Sequence, residues 1–427
     1  MSFVVIGLNH ITAPLNVLEQ VSIGADDLPK ALHDLHQRPH ISEAVVLSTC
    51  SRTEVYVEAE RFHGAFQDIR DFLCVASHLP PERLADTLYA YHDDQAIEHL
   101  FRVSSGVDSA VVGEHEILGQ IKRAWQASLD SDCCGANLNA AFRAAIETGK
   151  RVRTETTISE HVASVSQAAI LLAESKLQDT ESVPLDHAKV LLIGAGEMGA
   201  GMALSLADRS SAEITVVSRT TGTADVLAQR IGASVAPFAD LDELLTKCDV
   251  AFTSTAAPSL VIDADRLAKV AAARSGSSLL IVDIAMPRDV ESSASAIDGI
   301  ELLDIERVNA FVARGIDSRS AEIGEATQII DSEVARFAER VGQQSVVPLL
   351  TEFRSRAETL RSAELTRQAN RLAHLSDADR VLVDEVTRAV LAKVLHEPTV
   401  RLKDAATSLR GERLATALRE LFDLDLD

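Results

Sequence analysis

Two short segments of this chain combine residue types and spacings that can do chemistry. The first is Thr49-Cys50-Ser51-Arg52, a polar break between the apolar run 44–47 and the alternating run 54–57 in "AVVLSTCSRTEVYV". Thiolate is the sulfur nucleophile, and a free cysteine titrates at about 8.5. A thiol exposed at a strand end, two residues from an arginine, is expected to titrate lower. The second is Gly194-Ala195-Gly196-Glu197-Met198-Gly199 in "KVLLIGAGEMGAGMALSLA". It follows an apolar strand, opens a helix and precedes another strand about twenty residues on, the setting of a dinucleotide turn. The first glycine makes the tight turn, the second admits a pyrophosphate to the backbone, and the third lets helix pack on strand. A packing turn without ligand is the plainer alternative.

The strand after that turn ends Ser218-Arg219-Thr220, with no acidic residue for a ribose 2′-hydroxyl. An arginine between two hydroxyls suits a 2′-phosphate, because guanidinium meets phosphate as a charged fork. NADPH rather than NADH is therefore the expected cofactor. A cysteine taken alone is more often an inert core residue. A thiolate and a hydride donor on one chain, however, point to thioester or thiohemiacetal chemistry. The other four cysteines lack that company. Cys74 lies in an apolar helix-like run, Cys133 and Cys134 in a loop, and Cys248 before a buried strand.

Positioning these groups calls for three regions. Residues 1–157 mix strands at 3–8, 44–47 and 55–58 with helices such as 94–103 and 116–128. Residues 158–304 alternate strand and helix, with strands expected at 189–193, 213–218, 234–237, 250–254, 279–283 and 300–303. That alternation is the signature of a doubly wound parallel sheet, a Rossmann α/β domain. Residues 305–427 show no strand pattern. Ile305, Val308, Val312, Ile316, Ile323, Ile330, Val334, Phe337 and Val341 recur at helical spacing, with Pro348 and then Pro398 as expected breaks. A periodic pattern this long predicts an extended helix that buries its stripe against a partner chain, or a small intramolecular bundle.

The totals set bounds. The 427 residues include 41 basic and 64 acidic ones, a net charge of −23, so bulk electrostatics attract neither nucleic acid nor anionic membrane. Acidic residues spread along the chain are compatible with a solubility adaptation such as one to high salt. Five cysteines without a CxxC pair argue against a disulfide framework and for a reducing, cytoplasmic compartment. The start, "MSFVVIGLNH", lacks the basic region of a signal peptide. The apolar window 190–207 holds three motif glycines and reads as the nucleotide turn rather than a membrane span. His33, Asp34 and His36 cluster, but on a surface helix, and no metal constellation is expected.

The chain resembles the glutamyl-tRNA reductase family of five-carbon tetrapyrrole synthesis along nearly its whole length. The resemblance is carried by "GLNHITAPL", "STCSR", "HLFRVSSGVDSAVVGEHEILGQIK", "GAGEMG" and "DIAMPRDV". Where the family usually has Asn, this chain has Ser51, which can still hydrogen-bond. The resemblance implies that Cys50 attacks the ester of glutamyl-tRNA(Glu), releases the tRNA, and holds a thioester that NADPH reduces to glutamate-1-semialdehyde. It implies a catalytic His99 and glutamate-binding roles for Thr49, Ser51, Arg52, Ser109, Glu114, His115, Glu116 and Gln120. Arg52 is the expected bidentate partner of the substrate's side-chain carboxylate, and Glu114 of its α-ammonium. On residues alone, His99 also fits a half-buried helix position, and Glu114 and Glu116 fit the acidic start of a helix. The C-terminal region resembles the family's spinal helix and dimerisation domain, which implies a homodimer and a possible complex with glutamate-1-semialdehyde aminomutase. Docking a tRNA on an acidic chain calls for a local basic cluster, and Lys122, Arg123, Arg143, Lys150, Arg151 and Arg153 are the candidates. Reaching Cys50 from the nucleotide site calls for hinges near Thr157 and Asp304. Competing readings are a shikimate-dehydrogenase-like NADP oxidoreductase, which leaves Cys50 without a role, and a dinucleotide-sensing regulatory dimer with Cys50 as a redox switch.

Overall fold

The computed structural model describes residues 2–159, 164–179, 183–219, 221–255, 257, 259–274, 276–313, 320–406 and 408–424. The chain forms two compact units, Met1–Asp331 and Ser332–Asp427.

The first unit opens with a four-stranded antiparallel sheet of β1 (Ser2–Asn9), β2 (Ile41–Ser48), β3 (Arg52–Ala59) and β4 (Tyr89–His92), in the order β2-β3-β1-β4. Every residue of β3 is buried, so both faces of the sheet are covered. Strand periodicity of two sorts its side chains. Val55, Val57 and Ala59 join Val4, Ile6, Leu8, Val46, Ile69 and Phe72 in one apolar cluster. Arg52, Glu54 and Tyr56 therefore face the other way, and Tyr56 meets Phe142 edge-to-face at 5.3 Å on the helix Ala136–Glu155. The sequence reading missed β4. Its "YAYH" is too short to show alternation, and pairing with Val4 to Gly7 of β1 makes it a strand.

The second sheet has six parallel strands: β5 (Lys189–Ile193), β6 (Glu213–Val217), β7 (Ser234–Ala236), β8 (Val250–Thr253), β9 (Leu279–Asp283) and β10 (Ile300–Asp304). Their order is β10-β9-β8-β5-β6-β7. All six expected strands form, with ends shifted by at most one residue. The order reverses direction between β5 and β8, the switch point at which such sheets bind ligands. The glycine turn follows β5, and Gly194 N donates to Val217 O at 2.9 Å.

Beyond β10, residues Ile305–Ala313 and Ser320–Ser345 are helical, and the expected Ile316 lies outside the described residues. Pro348 stands in the first turn of the helix Val347–Arg367, where a missing N–H costs nothing. Pro398 does not act as the expected break. It lies inside the helix Asp377–Asp404, which continues past it, because the ring removes only one backbone hydrogen bond of a long ladder. Val346, Leu349, Leu350, Phe353, Leu402, Ala415 and Leu424 form the small core of the second unit. Among the described residues no helix is long and apolar enough to cross a membrane, and no group of His, Cys, Asp or Glu is arranged to hold a metal.

Candidate active site

The centre of the site is a buried carboxylate that the sequence reading did not single out. Glu54 Oε1 accepts from Arg52 Nη1 at 2.7 Å, from His99 Nε2 at 2.8 Å and from the Tyr89 hydroxyl at 2.5 Å. Its Oε2 accepts from the Tyr56 hydroxyl at 2.5 Å. Burial pushes this carboxyl up, but the Arg52 guanidinium and then His99 outweigh it and hold the group far below the carboxylate range. The His99 ring lies between Tyr89 and Tyr91, with centroids 5.4 and 4.9 Å away. Its Nδ1 stands 3.9 Å from Asp108 Oδ2, and Asp108 is itself held by Arg102.

This hub alters the expected role of Arg52. The residue is fully buried, with Nη1 committed to Glu54 and Nη2 donating to Asp108 O at 2.5 Å. Only Nε lacks a partner. The expected bidentate pair with a substrate carboxylate does not fit a guanidinium whose two terminal nitrogens are already engaged.

Cys50 sits on the turn between β2 and β3. Thr49 organises that turn. Its N–H donates to Arg52 O at 2.8 Å, and its hydroxyl oxygen accepts from the N–H groups of Ser51 and Arg52, both at 3.2 Å. Ser51 is buried, and its carbonyl accepts from His10 N. The expectation of an exposed thiol with a lowered pKa fails. Cys50 is half-buried, and burial pushes its thiol up, with Glu114 and then Glu116 adding to the rise. Arg52 opposes them too weakly, because strand alternation sends its charge inward to Glu54. The thiol packs instead against the apolar cluster of the nucleotide-binding half, on which Ala195 and Met198 of the glycine turn also pack.

The segment 104–120 forms the remaining wall. Gly106 and Gly113 take positive φ of 77° and 82°, and a Cβ on Gly113 would meet Ile158 O at 2.0 Å. Glu114 is buried. Burial raises its pKa, and the Ser109 hydroxyl, Arg52 and Arg153 work against that rise. Ser109 Oγ is buried without a partner in hydrogen-bond geometry. Glu116 and Gln120 are half-buried one turn apart on the helix Glu116–Asp130, whereas His115 is exposed at its N-cap. A Cβ on Gly201, in the helix that follows the glycine turn, would come 3.9 Å from Glu116 Oε1.

The structure removes Arg153 from the expected basic surface. Its Nη1 donates to Ser104 O and Gly149 O, both at 2.8 Å, and its Nη2 to Glu114 O at 2.9 Å. Burial lowers its pKa to about 10. Arg153 is a staple for the wall. Arg151 pairs with Glu155 at 2.7 Å, and Lys122, Arg123, Arg143 and Lys150 are exposed.

The glycine turn fits a dinucleotide. Gly194 takes φ 107°, and a Cβ there would meet Ser254 O at 2.8 Å. A Cβ on Gly199 would meet Gly194 O at 2.2 Å, so the third glycine admits the helix. A Cβ on Gly196, by contrast, would meet no atom within 4 Å, which leaves open the space above the N-terminus of Glu197–Arg209. Ser218 is half-buried and Arg219 exposed, and Thr220 lies outside the described residues. The Arg219 charge reaches Asp289, whose carboxyl burial pushes up. The catalytic and nucleotide-binding halves are tied together. Arg288 Nε and Nη2 donate to the Glu19 carboxylate at 2.7 and 3.0 Å, and Leu15 N donates to Glu306 Oε1 at 3.2 Å.

Comparison with known proteins places this arrangement. Residues 6–156 match the family profile "Glutamyl-tRNAGlu reductase, N-terminal domain", residues 172–311 match "Shikimate / quinate 5-dehydrogenase", and residues 325–424 match "Glutamyl-tRNAGlu reductase, dimerisation domain". The glutamyl-tRNA reductase of Frankia alni is 37% identical over 99% of this chain and 96% of its own length. The chain belongs to the glutamyl-tRNA reductase family. The reductase of Chloroflexus aggregans is 36% identical over 100% of this chain and 96% of its own. The solved glutamyl-tRNA reductase from Methanopyrus kandleri is 30% identical, with a TM-score of 0.52 and 99% of each chain covered.

As a member of this family, the protein is an oxidoreductase, and its dehydrogenase-like segment takes a nicotinamide dinucleotide. That segment accounts for the shikimate-dehydrogenase likeness weighed above, and the regions on either side belong to the reductase family. The hub residues Glu54, Tyr56, Tyr89 and Asp108 escaped the sequence reading. The even-numbered polar positions of "RTEVYVEA" were the available signal, since Arg52, Glu54 and Tyr56 must share a face.

Proposed function

We propose that this reductase converts glutamyl-tRNA(Glu) to glutamate-1-semialdehyde with NADPH, through a thioester on Cys50. The observation that carries this reading is the shared apolar cluster on which Cys50 and two residues of the glycine turn pack. It supports a nucleophile and a dinucleotide site that border the same core. Cys50 Sγ attacks the ester carbonyl, the C–O bond to the terminal ribose breaks, and the thiol proton leaves with the ribose hydroxyl. Bound NADPH would supply the hydride that takes the thioester carbon to the aldehyde level; the C–S bond breaks and Cys50 leaves as the thiolate, which takes up a proton again. Glu114, with Glu116 beside it, receives the α-ammonium of the glutamyl group, which offsets part of the negative charge that adds to burial in keeping the resting thiol protonated. Thr49 keeps the turn rigid, His99 orients Glu54, and Arg52 Nε contacts the substrate side chain. Ser51, Ser109, His115 and Gln120 complete the assigned binding set.

Arg219 is assigned to the 2′-phosphate of NADPH, with Ser218 and Thr220 beside it and Gly194, Ala195, Gly196, Glu197, Met198 and Gly199 around the pyrophosphate. Loss of one charge-assisted contact is worth about 1.5–3 kcal/mol. Arg219→Ala is therefore expected to raise KM for NADPH about tenfold to a hundredfold and leave KM for NADH unchanged. Steady-state kinetics with both cofactors checks this, and equal shifts for the two would remove the assignment.

The chain divides in this reading into a catalytic part (1–157), a nucleotide part (158–304) and a spinal and dimerisation part (305–427), with hinges near Thr157 and Asp304. Lys122, Arg123, Arg143 and Lys150 form the docking surface for tRNA. Five free cysteines support a cytoplasmic setting. Homodimerisation uses the exposed stripe Leu382, Val386, Val390 and Val394, each more than half exposed and spaced four apart on one helix. Val386→Glu with Val390→Glu is expected to yield a monomer by sedimentation, and an unchanged dimer would place the interface elsewhere. Transfer of the reactive aldehyde to an aminomutase docked on this dimer completes the proposal.

A further inference from the structure

The N-terminal motif "GLNHITAPL" holds a residue that the mechanism above leaves unused. His10 follows β1, and its N–H donates to Ser51 O at 2.9 Å, which seats it against the Cys50 turn. Its Nδ1 is buried and has no hydrogen-bond partner. Burial, and after it the Arg52 guanidinium, pushes its pKa down to about 4, so the imidazole is neutral at neutral pH. Arg52 Nε and Ser109 Oγ are also buried and partnerless. Ser109 follows Asp108, whose carbonyl accepts from Arg52 Nη2, and the Arg52 charge acts on His10, so the three orphans belong to one neighbourhood.

Buried polar atoms are normally paired, and orphans gathered beside a nucleophile mark a place that a polar ligand completes. An arginine N–H, a serine hydroxyl and a neutral imidazole protonated on Nδ1 are all donors. Glu54, the carboxylate on β3 beside them, already accepts from four groups. Glu114, the other buried carboxylate here, acts on Ser109 and Arg52 but makes no hydrogen bond in geometry to any of the three orphans. An acceptor from outside completes them, and a carboxylate, with two oxygens and several lone pairs, meets the need.

We propose that His10 is a specificity-determining residue that donates a hydrogen bond from Nδ1 to the side-chain carboxylate of the glutamyl substrate, beside Arg52 Nε and Ser109 Oγ. The assignment rests on the glutamyl-tRNA reading of the site. It adds a second donor beside the one guanidinium nitrogen that has no partner. It also separates the two ends of the substrate: the side-chain carboxylate goes to His10 and Arg52, and the α-ammonium to Glu114.

The test uses the full-length enzyme and one tRNA charged with glutamate or, as an uncharged isostere, with glutamine. The quantity read is the ratio of kcat/KM for the two. Losing a hydrogen bond to a charged group is expected to lower that ratio about tenfold to a hundredfold in His10→Leu. His10→Asn, whose amide nitrogen occupies the place of Nδ1, is expected to keep it within about threefold. A purely structural role would depress both substrates together and leave the ratio intact, and that result in His10→Leu would overturn the assignment. If His10→Leu does not fold, His10→Gln, which moves the amide to the place of Nε2, serves in its stead and is expected to lose the ratio. Wild-type enzyme inert toward glutamyl-tRNA would overturn the substrate reading itself, an outcome distinct from an active enzyme with an unchanged ratio.

Discussion

Cys50→Ser is expected to lower kcat with glutamyl-tRNA by at least about a thousandfold while NADPH binding stays within about twofold of wild type. The expectation follows from where the thiol sits. It borders the same apolar cluster as the glycine turn, as a nucleophile passing an acyl group to a bound hydride donor requires, and serine keeps its shape without its nucleophilicity. Single-turnover kinetics with the charged tRNA, paired with a cofactor titration, checks both halves. A variant retaining a tenth or more of wild-type kcat would remove Cys50 from the reaction. The raised thiol pKa sharpens the expectation. Alkylation of free wild-type enzyme by a small haloacetamide should be slow at neutral pH, and a bound glutamate analogue bearing an α-ammonium should accelerate it.

The second large effect is on stability. Glu54→Gln removes one charge and preserves shape, yet it leaves the buried Arg52 guanidinium without its ion-pair partner. Breaking such a pair from one side costs about 3–5 kcal/mol. The folded-state pKa of Glu54 is depressed below its ordinary 4.5, so its stabilisation is complete above that pH and declines as pH falls below it. Urea unfolding should therefore show a large gap between wild type and Glu54→Gln at pH 7, narrowing below about pH 4.5 as the unfolded wild-type chain takes up a proton that the folded state still excludes. A gap under about 1 kcal/mol at pH 7 would mean that Arg52 finds another partner.

Much of this architecture was legible before the structure. The strand–turn–helix at Gly194 is a local pattern, and local patterns survive in sequence. The central Rossmann strands are buried apolar runs, the edge strand Ser234–Ala236 is largely exposed, and the reading placed all six to within a residue at their ends. The site was less legible, for two reasons. Sequence proximity between Cys50 and Arg52 suggested an activated thiol. Alternation on β3 instead turns Arg52 inward, while the turn carries Cys50 to the opposite partner. Long-range pairing was the other gap. Tyr89 and His99 come from separate elements 35 and 45 residues from Glu54, and no periodicity joins them. Arg153 misled for the same reason, because its carbonyl partners on the segment 104–114 appear only once the helix Ala136–Glu155 packs against it.

The most direct test of the account is to mix wild-type enzyme with glutamyl-tRNA radiolabelled on glutamate, without NADPH, and quench in acid. The account predicts label covalently attached to a peptide containing Cys50, released by hydroxylamine, chased to semialdehyde when NADPH is added, and absent from Cys50→Ser. Turnover of glutamyl-tRNA with NADPH but no label on Cys50 under these conditions would contradict it.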